Sequence, residues 1–174
     1  MNSSAFSLLL FTLSLILFSH APMATLGISL YESLCEEAKQ DKGRCLEILT
    51  SDPRIVGAKN NLELCKLVLE LGLKKGTEAQ NLLKGEMKTN PSPAIKQCAT
   101  TLYDGVVGSF KSSLGELKQD SLTANYDAKV AGDGPTTCDV AMANAKITNP
   151  SISALNKEIL LISELAFLAT EKLP

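Results

Sequence analysis

Apolar residues recur at intervals of three and four along most of the chain, which is the spacing of helices that bury one face. The first long run of this kind predicts a helix from about Val56 to Thr89, which Asn90 and the prolines after it would end. Its stripe consists of Leu62, Cys65, Leu69, Gly72, Gly76, Ala79 and Leu83. No stretch of useful length shows the alternation that is typical of strands.

Two further helical patterns follow. The second helix is predicted from about Ala94, with a stripe of Ile95, Cys98, Leu102, Val106, Ser109, Ser113 and Leu117. The third begins near Ser121 and includes Leu122, Tyr126 and Val130. Because proline lacks a backbone donor, Pro135 is expected to kink or interrupt this helix before about Ala145.

A last amphipathic helix is predicted after the break at residues 148–151, with a stripe of Ile152, Leu155, Ile159, Ile162, Leu165, Ala166 and Ala169. Four long helices with short connections predict an all-α, up-down-up-down four-helix bundle over residues 52–174.

The bundle is preceded by two short helical patterns that form a predicted hairpin over residues 28–50. The first runs from Ile28 to Gln40, and the second ends at Thr50. Asp52 and Pro53 then have the signature of a capped turn or helix start, with proline at the first helical position.

The N-terminus carries an apolar block, Ser7 to Phe18, and the first charged residue is Glu32. A block of about a dozen residues has the length of a secretory signal, whereas an uncleaved membrane anchor would need roughly 20. We therefore predict a signal peptide over residues 1–27, with cleavage between Ala24 and Ile28. The mature domain would be residues 28–174, secreted and free of the membrane.

Composition excludes several functions. The net charge of −2 comes from mixed Lys and Glu, which gives no electrostatic footprint for nucleic acid. The only histidine, His20, lies in the predicted signal peptide, so Ser-His-Asp and Cys-His catalysis and imidazole-bound zinc are not expected. No dinucleotide or phosphate-binding motif occurs. The chain is therefore predicted not to be an enzyme and to need no cofactor or metal.

The chain contains five cysteines, an odd number for an oxidising compartment. Cys65 lies in the apolar stripe of the first long helix and is predicted to be a buried free thiol, with an intermolecular disulfide or a reactive thiol as the alternative. The other four are Cys35, Cys45, Cys98 and Cys138, which could be joined in any of the three pairings that four cysteines allow. No Cys-X-X-Cys spacing supports a metal site or a redox pair.

Three motifs occur together with the hairpin and the signal sequence: "CLEILTSDPR" at residues 45–54, "KQCATTLYDGVV" at 96–107 and "TTCD" at 136–139. This combination resembles the plant invertase and pectin methylesterase inhibitor family over essentially the whole predicted mature chain. The resemblance implies disulfides Cys35–Cys45 and Cys98–Cys138.

The function that the resemblance implies is reversible inhibition by a secreted protein. It would bind pectin methylesterase or invertase in a 1:1 complex and occlude the active-site cleft. The expected location is the apoplast or cell wall, with the vacuole as the alternative. A non-inhibitory secreted protein that carries an apolar ligand is a further alternative.

Individual positions bear on the choice of target. In the pectin methylesterase branch, the threonine before the last framework cysteine belongs to the binding surface, which implies a partner contact for Thr137. An acidic residue often found in that branch is replaced by Thr100. The Pro-Lys-Phe tract of the invertase branch is replaced by Ser121, Leu122 and Thr123. We therefore expect pectin methylesterase as the target, with invertase as the alternative.

Overall fold

A computed structural model describes residues 27–174, which fold into helices connected by short loops. The predicted signal peptide lies outside the described residues except for Gly27. Among the described residues, no helix combines the length and the apolar composition that crossing a membrane requires. The helices are α1 (Leu30–Glu37), α2 (Lys42–Thr50), α3 (Pro53–Val56), α4 (Asn61–Thr89), α5 (Pro93–Gln97), α6 (Tyr103–Glu116), α7 (Ser121–Val130), α8 (Asp133–Asn144) and α9 (Pro150–Thr170).

The long elements form a bundle. The first bundle helix is α4, and the second consists of α5, a π-helical turn at Cys98–Leu102, and α6. The third consists of α7 and α8, and the fourth is α9. Each bundle helix packs against two neighbours, so that α4 contacts α6, α6 contacts α7, α7 contacts α9, and α9 closes the ring on α4. The predicted all-α up-down-up-down bundle is confirmed.

Helices α1 and α2 form the N-terminal hairpin, with a 3₁₀ turn at Lys39–Asp41 between them. The Cys35–Cys45 disulfide joins the two helices, with Cα atoms 5.4 Å apart. Cys35 and Leu34 are fully buried, and α1 also packs on α4 and α9. The hairpin is therefore attached to the bundle by an apolar face as well as by its own covalent link.

The predicted start of the first bundle helix is wrong. Asp52 and Pro53 do start a helix, but α3 is a single turn that ends at Val56. The chain then breaks, and α4 begins at Asn61 because the Asn60 side chain accepts a hydrogen bond from the Glu63 backbone N–H at 2.9 Å.

The predicted stripe of the second bundle helix is wrong at two positions after the π turn begins, Leu102 and Ser109, whereas the other predicted positions there are buried: Val106, Ser113 and Leu117. A π turn holds more residues than an α turn, so the side chains after it rotate relative to the core. Tyr103 is fully buried where Leu102 was predicted, and Leu102 is only half-buried. Phe110 likewise replaces the half-buried Ser109 in the core.

The first part of the third bundle helix, α7, turns its largest apolar side chains outward. Its buried face consists of small residues, Ala124, Ala128 and Ala131, whereas Leu122 is 82% exposed and Tyr126 is 66% exposed. Small side chains let neighbouring helices approach until side-chain hydroxyls reach their backbones, as when Ser113 Oγ donates to the Ala124 carbonyl at 2.7 Å.

Candidate functional site

Thr137 lies on α8 and is exposed to solvent. The next residue, Cys138, is fully buried and forms a disulfide with Cys98, with Cα atoms 5.2 Å apart. Because Cys98 begins the π turn, this disulfide ties the third bundle helix to the second directly beneath Thr137. Both disulfides are the pairs that the resemblance implies.

Two shallow grooves meet at Thr137 between the second and third bundle helices. One has a volume of about 180 Å³ and includes Thr101, Gly105 and Asp133 among its lining residues. The other has a volume of about 500 Å³ and includes Gln97 and Val140. These six exposed residues are called the Thr137 face: Gln97, Thr101, Gly105, Asp133, Thr137 and Val140.

The Thr137 face offers both polar and apolar contacts to solvent. Amide, hydroxyl and carboxylate groups provide hydrogen-bond donors and acceptors, and Val140, 54% exposed, provides an apolar contact. Within residues 27–174 there is no group of three potential metal-ligating side chains. The arrangement can contact a partner surface, and it does not bring together an acid, a base and a nucleophile.

The position of α8 is fixed by an unusually close backbone contact. A Cβ atom added at Gly134 would lie 2.4 Å from Val106 Cγ2 and 2.8 Å from the Leu102 carbonyl oxygen. Glycine at this position therefore lets α8 pack directly on the π turn. Pro135 follows in the first turn of α8, where backbone N–H groups have no partner within the helix, so its missing donor costs little. The predicted interruption near Pro135 is confirmed, since α7 ends at Val130.

A buried polar network links the same turn of α8 to the core. The Tyr103 hydroxyl donates to Asn156 Oδ1 at 2.7 Å, and Asn156 Nδ2 donates to Asp139 Oδ1 at 2.7 Å. Burial raises the pKa of Tyr103, and the negative charge of Asp139 raises it further. Residues from the second, fourth and third bundle helices are thus connected in one chain of hydrogen bonds.

The remaining predicted residues lie apart from this face or are turned away from it. Cys65 is fully buried in α4 and unpaired, and burial raises the pKa of its thiol to about 12. Thr100 is half-buried, and its hydroxyl donates to the Lys96 carbonyl at 2.8 Å. Ser121, Leu122 and Thr123 form the first turn of α7, which is capped by Asp120.

Sequence reasoning missed Asn156 and Asp139. One signal was present for Asn156, a polar residue between Ile152 and Ile159 on the buried face of the last helix. Buried amides are expected to be hydrogen-bonded, so such a position indicates a partner. Asp139 is half-buried beside Cys138 and ends the "TTCD" motif, but nothing in its local sequence indicates a buried partner.

Comparison with solved structures shows the same fold. A mutant form of a pectin methylesterase inhibitor from Arabidopsis has a TM-score of 0.73 and 20% sequence identity, and the match covers 84% of this chain and 98% of that one. A pectin methylesterase inhibitor from Arabidopsis thaliana has a TM-score of 0.61 at 20% identity, covering 83% of this chain and 95% of that one.

Sequence comparison gives a family match but no individual relative. No curated protein matches the chain significantly. The profile of the family described as "Plant invertase/pectin methylesterase inhibitor" matches residues 29–166, which include the hairpin and most of the bundle. With its helical hairpin, its bundle and its two disulfides, the chain belongs to the plant invertase/pectin methylesterase inhibitor family.

Proposed function

We propose that the protein is a secreted inhibitor that binds pectin methylesterase in a 1:1 complex and covers its active-site cleft with the Thr137 face. The single observation that carries this proposal is the exposure of Thr137 on a helix held rigidly by the Cys98–Cys138 disulfide. A surface that is already ordered loses little conformational entropy on binding, so modest contacts can give a stable complex.

The shape and composition of the Thr137 face support binding to a protein surface rather than binding of a small molecule. Its two grooves are open and shallow, so they fit the contour of a partner surface better than they would enclose a small molecule. Gly105 is exposed, and a Cβ atom added there would meet nothing within 4 Å, so a partner can approach the backbone of α6 closely. A role as a carrier of apolar ligands has less support, because Tyr103 and Phe110 fill the space between the helices.

Invertase is the alternative target, and a different surface favours it. The turn at Ser121, Leu122 and Thr123 corresponds to the Pro-Lys-Phe tract of the invertase branch, and Leu122 is 82% exposed. This turn can therefore contact an enzyme through Leu122, although it has no counterpart to the lysine of the Pro-Lys-Phe tract. Pectin methylesterase remains the preferred target because Thr137 is retained on the exposed face.

The proposal is tested with substitutions that add bulk to exposed helical positions. Thr137→Arg should weaken inhibition of pectin methylesterase about ten-fold or more, equivalent to roughly 1.4 kcal/mol of binding free energy. Thr50→Arg is the matched control, because Thr50 is an exposed helical threonine in the hairpin. Equal inhibition by the Thr137 and Thr50 variants would rule out the Thr137 face as the binding surface.

Comparing Leu122→Asp with Thr137→Arg separates the two targets. Leu122→Asp changes an exposed side chain on α7 and should leave inhibition of pectin methylesterase unchanged. If invertase is the target, the same substitution should weaken invertase inhibition while Thr137→Arg has the smaller effect. Circular dichroism of each variant verifies that the bundle is intact.

A further inference from the structure

Few apolar contacts orient the helix that carries Thr137. The buried residues of α8 are Gly134, Pro135, Cys138 and Met142, so Met142 is the only long side chain that anchors it in the core. A disulfide and a glycine contact fix the distance of α8 from the second bundle helix. Hydrogen bonds from the fourth bundle helix add a contact on a different side of α8, and this contact further limits the rotation of α8 about its own axis.

The π turn places the first residue of this hydrogen-bond network, Tyr103, in the core. π turns are rare within α-helices and often occur at functional sites. Here the turn ends at Leu102 and brings the next side chain, Tyr103, fully into the core. The hydroxyl of Tyr103 reaches across the bundle to Asn156 on α9, at 2.7 Å.

Asn156 connects Tyr103 to α8 by hydrogen bonds. Its side chain is 1% exposed, and its two polar atoms have different partners: Oδ1 accepts from Tyr103 and Nδ2 donates to Asp139 at 2.7 Å. The orientation of the amide is therefore fixed at both ends. Asp139 lies two residues after Thr137, in the same turn of α8. Every donor in the network points towards the Asp139 carboxylate, an arrangement in which successive hydrogen bonds strengthen one another.

We propose that Tyr103 and Asn156 are positioning residues for the Thr137 face. They hold the Asp139 turn of α8 in one rotation, and this rotation sets the direction in which Thr137 faces the partner. The binding part of this inference rests on the proposed inhibitory function, whereas the structural part concerns the free protein.

Nuclear magnetic resonance of the secreted protein tests the structural part without any enzyme. Tyr103→Phe removes only the hydroxyl and should shift the amide and methyl resonances of Thr137. Ser113→Ala is the matched control, because Ser113 Oγ also makes a buried 2.7 Å hydrogen bond between helices, but to Ala124 of α7. The control should leave the Thr137 resonances in place. Unchanged Thr137 resonances in Tyr103→Phe, or equal shifts in both variants, would overturn the inference.

Binding to pectin methylesterase tests the functional part. Tyr103→Phe should raise the dissociation constant roughly five-fold, within the range of indirect couplings, while Ser113→Ala should leave it unchanged. Asp139→Asn keeps an acceptor for Asn156 and should retain most of the affinity, whereas Asp139→Leu should lose it. Equal weakening by Tyr103→Phe and Ser113→Ala would indicate a general loss of stability and contradict a positioning role. If the unaltered protein binds neither enzyme, the proposed function fails, and the Thr137 resonances alone decide whether the network positions α8.

Discussion

The close packing of α8 on the π turn gives a sharp prediction for Gly134→Ala. The added Cβ would lie 2.4 Å from Val106 Cγ2 and 2.8 Å from the Leu102 carbonyl oxygen. Neither atom can withdraw cheaply, because Val106 is buried and the oxygen belongs to the backbone. Separation of the helices is opposed by the Cys98–Cys138 disulfide a few residues away.

The magnitude follows from two opposing effects. Overpacking in a core costs about 1–3 kcal/mol, and replacing a helical glycine by alanine gains at most about 1 kcal/mol. Because both approaches are far inside van der Waals contact, the upper part of the overpacking range applies, about 2–3 kcal/mol. We therefore expect a net loss of about 1–2 kcal/mol, which corresponds to a melting temperature lower by about 2–8 °C for a domain of this size. Urea and thermal unfolding followed by circular dichroism measure both quantities.

Gly105→Ala is the matched control for this prediction. Gly105 is also helical, but a Cβ there would have no neighbour within 4 Å. This variant should therefore gain up to about 1 kcal/mol from helix propensity, with a melting temperature higher by about 2–4 °C. The reasoning would be refuted if Gly134→Ala were as stable as the unaltered protein, or if both substitutions shifted stability in the same direction.

Three further predictions concern titratable groups. The Cys65 thiol, whose pKa burial raises to about 12, should resist thiol reagents at about pH 8 until the protein is unfolded, and rapid labelling of the native protein would contradict its burial. Hydrogen bonds from Ser29, Arg54 and Thr123 lower the pKa values of Glu32, Asp52 and Asp120 respectively. The stability that these hydrogen bonds confer is present above the ordinary pKa, which is 4.5 for the glutamate and 3.8 for the aspartates, and it is lost as the pH falls through the lowered pKa values. Thermal unfolding should accordingly show level stability from about pH 5 to about pH 7 and a decline below about pH 4, and a transition near pH 6 would contradict this assignment. Because the pKa of Tyr103 is raised above its ordinary value of 10, its stabilising effect should be complete below pH 10 and disappear at higher pH, which ultraviolet titration should detect as one tyrosine that ionises only on unfolding.

Much of the fold could be predicted from local patterns. Periodic apolar residues indicated the bundle helices, and the proline-containing breaks before α5 and α9 coincide with capping by Ser92 and Asn149. Each of these signals depends on residues close together in sequence. The break between α3 and α4 was missed because the helix start at Asp52 and Pro53 was expected to lead directly into the long helix, and the cap at Asn60 was not recognised.

The errors have tertiary causes. Periodicity assumes an uninterrupted α-helix, and the second bundle helix contains a π turn at Cys98–Leu102, after which Tyr103 and Phe110 are buried in place of Leu102 and Ser109. In the third bundle helix, large residues such as Tyr126 would ordinarily be assigned to the interior, but close contact with neighbouring helices requires alanine there. Packing partners decide both outcomes, and they are distant in sequence.

The candidate site was less predictable than the fold. An exposed threonine on a helix has no local signature, so Thr137 was identified through the family resemblance and not through its neighbours in the chain. The grooves beside it depend on the pairing of the second and third bundle helices, as does the contact at Gly134. The network through Asn156 joins residues on three bundle helices, and only the position of Asn156 in an apolar stripe indicated that it exists.

The central claim is tested most directly by titrating a fixed amount of pectin methylesterase with the purified protein, with invertase titrated in parallel. The proposed function predicts that pectin methylesterase activity falls linearly and ends at one inhibitor per enzyme, while invertase keeps its activity. Full activity of both enzymes at a several-fold molar excess of the folded, disulfide-bonded protein would contradict it.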